Sequence, residues 1–137
     1  MAGFTIELRG IEEYRKKILA LGVNLDGICR YAIYPAADIV IDAIKANTPV
    51  NTGDLRKSAK LYKFQHKEGF VYTGVFFDGY DERGVPNPIK ARVLESGSST
   101  RKKHPFIRPA VNRVKKAAEF AMDKALNEKI SQIMEKG

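Results

Sequence analysis

The chain has one cysteine, two histidines and no tryptophan. A single thiol, Cys29, cannot close an internal disulfide, which excludes the stapled scaffolds of small secreted domains. Cys29 falls within an apolar helical pattern and is expected to be a small buried residue, not a nucleophile. No run of about 18 apolar residues occurs, so no membrane-spanning helix and no membrane partner are expected. The first residues include Glu7 and lack a long apolar core after a basic start, so no signal peptide is expected. The expected compartment is a reducing cytoplasm, or a particle assembled there.

Catalytic signatures are also missing. There is no HExxH, no C-x-x-C, no phosphate-binding glycine loop and no GxGxxG. His66 and His104 have no carboxylate or cysteine at a useful spacing. Asp38 and Asp42 stand one helical turn apart, which a solvated polar face explains. Asp78, Asp81 and Glu82 share a loop without the ordered alternation of a calcium site. No catalytic residue, metal or cofactor is therefore expected. Acids are outnumbered by bases, 16 against 24, for a net charge of +8. That excess permits an acidic partner without choosing between nucleic acid and protein.

What is present reads as one domain over residues 1–137. Phe4, Ile6 and Leu8 alternate with polar residues and predict a short strand. Ile11, Tyr14, Ile18 and Leu21 predict a helix that stops near Gly22. A longer helix is predicted from about Leu25 to Asn47. Its buried face is Ile28, Ala32, Ile33, Ala36, Ile39, Val40, Ala43 and Ile44, with a kink or break at Pro35. Residues 59–79 read as a hairpin around Lys67-Glu68-Gly69. The 78–88 segment reads as a long mobile loop, and Ile89 to Glu95 as a turn of helix or a short strand. From Phe106 to about Glu135 the pattern is helical, with Ile107, Val111, Val114, Ala118, Ala121 and Ala125 on one face. At 1.5 Å per residue that helix is about 45 Å long, enough for its second half to project or to pack on a neighbouring subunit. The fold class expected is α+β: an antiparallel sheet with a central hairpin, packed by a long kinked helix and a long C-terminal helix.

Two stretches stand out. In Thr48 to Ser58, Pro49 cannot donate a helical hydrogen bond and pushes Thr48 out of helical geometry, so the long helix ends there. Thr52 is placed to cap a new turn, with Asp54 at its positive end. Gly53 lets the chain swing sharply, Leu55 reaches back to the core, and Arg56 faces out. A capped corner is itself a sufficient explanation. The second stretch is basic: Arg101, Lys102, Lys103 and His104, then Arg108, Arg113, Lys115 and Lys116, with no acid among them. It suits phosphates or an acidic subunit, and a solvated loop and helix face suits it equally. No recognition-helix motif or zinc finger is present to read bases.

Three segments together carry a resemblance. "TPVNTGDLRKS" (48–58) is similar to an Ala-Pro-Val-Asp-Thr-Gly-x-Leu-Arg-x-Ser motif. "ARVLESGSS" (91–99) is similar to Tyr-Ala-x-x-Val-Glu-Phe-Gly-Thr, and "HPFIRPAV" (104–111) to Pro-Phe-Leu-Arg-Pro-Ala. These motifs belong, in this order, to a family of small tailed-phage proteins regarded as tail components or as neck and head–tail joining proteins. "ELRGIEEYRKKILALG" resembles that family's opening strand and helix. Asn51 stands where the family has Asp, Lys90 where it has an aromatic, and Ser96 where it has Phe.

The resemblance implies a structural virion assembly protein, a head–tail joining or tail-completion subunit forming or joining a ring at the neck. A ring needs heterologous contacts that close. The partners implied are other phage structural proteins (connector, tail terminator or tail tube) and further copies of the chain. The location implied is the virion, with the bacterial host cytoplasm during assembly. Candidate interface residues are Glu95, Arg101, Lys102, Lys103, His104, Phe106 and Arg108, with Glu95 expected to pair with Arg108 or Arg56, within one chain or across two. Pro49, Thr52, Gly53, Asp54, Leu55, Arg56, Gly97, Pro105 and Pro109 form the structural motif. The alternative is a basic nucleic-acid-binding module making non-specific DNA contact.

Overall fold

The computed structural model describes residues 4–9, 25–50, 53–63, 65–67 and 70–136. Its elements are β1 (Phe4–Arg9), α1 (Leu25–Asn47), α2 (Asp54–Ser58), β2 (Ala59–Leu61), β3 (Gln65–Lys67), β4 (Phe70–Phe77), α3 (Asn87–Ser96) and α4 (Ile107–Lys136). The helix expected over residues 11–22 and the turn at 68–69 lie outside the described residues. The architecture is α+β, as the alternation of periods implies.

The sheet is built around β4. β1 runs antiparallel along one side of it, from Phe4 opposite Val75 to Arg9 opposite Phe70. The other side is shared: β2 pairs with residues 75–77 and β3 with residues 70–72, both antiparallel. The register slips by one residue between Leu61↔Val75 and Gln65↔Tyr72. An inserted residue of this kind bends a strand and disrupts its ladder locally. Beside the slip, the Thr73 hydroxyl donates to the Tyr62 carbonyl at 2.8 Å, and the Tyr62 amide donates to the Gly74 carbonyl at 2.7 Å. The aromatic-rich hairpin expected from the sequence is thus one broken outer strand on a continuous central one.

Alternation along β4 sets its two faces. Thr73, Val75 and Phe77 are fully buried, whereas Tyr72 and Phe76 are half-buried. On the second face the Phe76 ring stacks on Tyr62, with centroids 5.0 Å apart. On the first face Val75 and Phe77 join the core with Ile28, Ile33, Val40 and Ile44 of α1.

α1 runs through Pro35 as a single helix. Its apolar stripe continues across the proline, so packing holds both halves in one rod. α4 lies antiparallel to it. At one end the Asn47 side-chain amide donates to the Phe106 carbonyl at 2.8 Å. At the other, Lys129 Nζ sits 5.1 Å from the Tyr31 ring centroid. Alanines at 32, 36, 37 and 43 in α1, and at 110, 118 and 125 in α4, are all buried. Such small side chains let two helices approach closely. Length alone suggests that α4 outreaches the domain, yet Met122, Leu126, Ile130 and Ile133 pack against the core. The second half of the helix is therefore held at the domain almost to its last turn.

Candidate assembly surface

The three motif segments meet at one end of the molecule, where α1 finishes and α4 begins. α1 ends as its sequence dictates. The buried Thr48 hydroxyl donates back to the Ile44 carbonyl at 2.6 Å, and Arg56 Nε donates to the Lys45 carbonyl at 2.9 Å. Two terminal carbonyls that the helix leaves over are satisfied in this way. The chain then turns at Gly53, whose φ of 85° lies in the left-handed region that favours glycine. Gly53 also holds the N-cap position of α2, so no side chain caps that helix. Thr52, the expected cap, lies outside the described residues. Leu55 reaches the core at 4 % exposure, and Arg56 and Lys57 face solvent.

Glu95, at the end of α3, has a role that its sequence neighbours do not reveal. Its Oε1 accepts from the Phe106 and Ile107 amides at 2.8 and 2.7 Å, and its Oε2 from the Arg108 amide at 3.1 Å. These are three of the four donors that a helix start leaves unpaired, and the fourth position, Pro109, has no hydrogen to place. One carboxylate thus closes the N-terminus of α4, where the helix dipole also favours a negative charge. Within the chain Glu95 does not pair with the Arg108 or Arg56 side chain; both its oxygens accept from backbone amides instead.

The link between α3 and α4 is folded against this cap. The Gly97 amide donates to the Val93 carbonyl, the Ser98 amide to the Arg101 carbonyl, and the His104 amide to the Leu94 carbonyl at 2.7 Å. Ser98 Oγ accepts from the Arg101 amide at 3.1 Å. Gly97 has φ 78° and ψ 178°, a conformation almost reserved for glycine. A β-carbon there would stand 3.1 Å from the Lys103 nitrogen and 3.2 Å from the Arg101 oxygen. Arg101, Lys102, Lys103, His104, Pro105, Arg108 and Pro109 are all exposed. Phe106 is not a surface residue: at 2 % exposure its ring packs edge-on against Phe77, centroids 5.8 Å apart. It anchors the start of α4 in the core and serves any interface only indirectly.

The 78–86 loop is fastened by its own carboxylates. Asp81 Oδ1 accepts from the Arg83 and Val85 amides, each at 2.9 Å, and Oδ2 meets Lys90 Nζ at 3.3 Å. The Val85 amide bond is the main cause holding the Asp81 carboxyl below its ordinary pKa, with Arg83 and Lys90 adding to it against partial burial. Asp78 is likewise lowered, chiefly by its hydrogen bond and ion pair with Lys60 at 3.1 Å. The sequence reads as a long mobile loop here. The structure shows Asx-type turns, because Asp81 sits where its side chain can bond amides two and four residues on.

Between this loop, the corner and α3 lies an open cleft of about 540 Å³. Leu55, Val93 and Leu94 line its inner part, and Val50, Val85 and Ile89 stand around it at 56, 40 and 45 % exposure. Asp54, Asp81, Glu82, Arg83, Lys90 and Arg101 add charges of both signs to the lining. Pro49 and Gly53 also line it, so the corner motif forms one wall. Exposed apolar side chains thus stand among charges of both signs, a mixture that protein interfaces share. Sequence reasoning picked out the corner and Arg101 but missed Val50, Val85 and Ile89. Their signal was apolar residues within turn-rich segments, where no core-facing periodicity demands them.

Asp38, Asp42 and His104 are exposed. Among the described residues no three His, Cys, Asp or Glu side chains group to hold a metal. Nor is any helix among them long and apolar enough to cross a membrane.

With this geometry in view, comparison with known families is decisive. The family model described as "Bacteriophage HK97-gp10, putative tail-component" matches residues 12–97. The chain belongs to that family. The matched span of this tail-component protein runs from before α1, through the corner and strands β2 to β4, to Gly97 just after α3, and leaves β1 outside. Two of its motif segments, 48–58 and 91–99, overlap that span, while the 104–111 segment and α4 follow it. No curated protein and no solved structure matches the chain.

Proposed function

We propose that this tail-component protein is a non-enzymatic assembly subunit of a tailed phage or prophage, acting in head–tail joining or tail completion and sitting in a ring at the neck. Its partners are then further copies of itself and adjoining structural proteins such as the connector, tail terminator or tail tube. The observation that carries this reading is the cleft. Its exposed Val50, Val85 and Ile89 come from the corner fixed by Gly53, Thr48 and Arg56, from the loop fastened by Asp81, and from α3, whose end Glu95 ties to α4. Exposed apolar side chains grouped on a rigid frame suit docking without an ordering cost in the docking surface.

The test is to locate the chain in purified particles of the phage or prophage that encodes it, by mass spectrometry of fractionated necks and tails and by electron microscopy. Multiple copies in a ring where head meets tail are expected. Absence from finished particles, or presence only in the capsid shell, contradicts the proposal.

A further inference from the structure

A second surface of this molecule, which meets the cleft at Arg101, has a different chemistry. We infer that Arg101, Lys102 and Lys103 of the α3–α4 link, with Arg108, Arg113, Lys115 and Lys116 of α4, form a binding surface for the phosphodiester backbone of duplex nucleic acid, independent of base sequence. All seven side chains are exposed. On α4, positions 107, 110, 111 and 118 are buried, which leaves 116 on the opposite, solvent side, with 108 and 115 on one flank of it and 113 on the other. From Arg108 to Lys116 these bases extend over about 12 Å of helix, continuing the track begun by the link.

Three observations favour a polyanion. First, no acid occurs in the sequence from residue 96 to residue 118, and Glu95, just before that run, accepts with both oxygens from the Phe106, Ile107 and Arg108 amides. Second, among the described residues none of the seven cations forms an ion pair within the chain, whereas Lys60 and Lys90 elsewhere are paired with Asp78 and Asp81. Third, no large hydrophobic side chain is exposed between residues 101 and 117; those that are exposed include Val50, Val85 and Ile89 at the cleft and Phe120 beyond. Protein interfaces draw on apolar and aromatic anchors, while nucleic-acid interfaces are more polar and far more positive. The link is also preformed: Ser98 holds the Arg101 amide, His104 is bonded to Leu94, and Gly97 allows the close return of Lys103. Little ordering is then needed on binding. No base-reading element accompanies the patch, so contacts of this type position without specifying.

The inference does not rest on the assembly role, and its test is separate. Fluorescence anisotropy of the full chain is measured with random-sequence duplex DNA, the matching duplex RNA, polyglutamate, and vesicles of anionic lipid. With about four phosphates engaged, affinity for a duplex falls about 100-fold between about 50 and 200 mM salt. Arg101→Ala/Lys102→Ala/Lys103→Ala, and separately Arg113→Ala/Lys116→Ala, weaken binding at least tenfold, and each cation removed flattens the salt dependence by about one unit of slope. Ile89→Asp, in the cleft, leaves nucleic-acid binding unchanged. The DNA and RNA arms show which duplex is preferred, and binding to either supports the inference. It is overturned if neither duplex binds at low salt, if the basic variants bind as the parent does while folding as it does, or if polyglutamate or vesicles bind as tightly as the duplexes.

Discussion

Glu95 Oε1 lies 2.7 Å from the Ile107 amide nitrogen, and this hydrogen bond ties the end of one helix to the beginning of another across twelve residues of sequence. With the Phe106 and Arg108 bonds it makes a single carboxylate the N-terminal cap of a 30-residue helix. Replacing it tests the cap directly. Glu95→Ala strands three amides and is expected to cost about 2 kcal/mol, toward the upper end for a lost cap. Glu95→Gln keeps one acceptor but not the charge, and is expected to cost about half of that. Urea unfolding of both variants checks the order, and equal stability of all three proteins would contradict the capping role.

Two glycines rank by the same physics. At Gly53 an added β-carbon would meet nothing nearer than Lys57 Cε at 4.0 Å, so only backbone strain opposes substitution. Gly53→Ala is expected to cost about 1 kcal/mol, and Gly53→Val somewhat more. At Gly97 the strain is joined by contact with the Lys103 and Arg101 backbone. Gly97→Ala is therefore expected to cost more than Gly53→Ala, by about 1 kcal/mol or more. Thermal melting of the two variants decides the order.

The 78–86 loop carries a pH dependence whose sign follows from its carboxylates. Asp81 and Asp78 both have folded-state pKa values below the ordinary 3.8. A depressed carboxyl contributes stability that is fully present above the unfolded value and is lost as pH falls through the folded one. Loosening of the loop is therefore expected only below about pH 4, with no change between neutrality and that point. Amide exchange at Arg83 and Val85 reports it. Asp81→Asn should show weakened protection at neutral pH and a flatter acid response; protection unaltered by the substitution would contradict the loop's dependence on this side chain.

The core makes a further expectation concrete. Phe106 is buried against Phe77 and its carbonyl accepts the Asn47 side chain. Phe106→Ala is expected to cost about 3–5 kcal/mol, far above substitution of its exposed neighbour His104. Denaturant titration measures both, and comparable small losses would show that Phe106 is a surface residue after all.

Much of this architecture was legible in the sequence because it is written in local periods. The stripe from Ile28 to Ile44 specified α1, the apolar and aromatic run at 70–77 specified a strand, and Thr48-Pro49 specified where α1 stops. The three motif segments pointed to the phage tail-component family. What was not legible depends on partners far apart in sequence. Nothing in residues 104–107 offers a local cap for α4, a sign in hindsight that a distant acceptor is required, but not that it is Glu95. The register slip between β2 and β3 depends on how two strands meet the same neighbour. The cleft exists only once the 78–86 loop has folded on Asp81 beside the corner, which brings Val50, Val85 and Ile89 together from three separate segments.

The central claim is that this cleft docks another protein during particle assembly. The most direct measurement is complementation of a phage or prophage lacking the chain with the Ile89→Asp variant, alongside a melting curve of the purified variant. Ile89 is 45 % exposed, so an unchanged melting temperature is expected, together with a loss of joined particles and an accumulation of unjoined heads and tails. Joined particles at the parental yield from a variant that folds normally would contradict the claim.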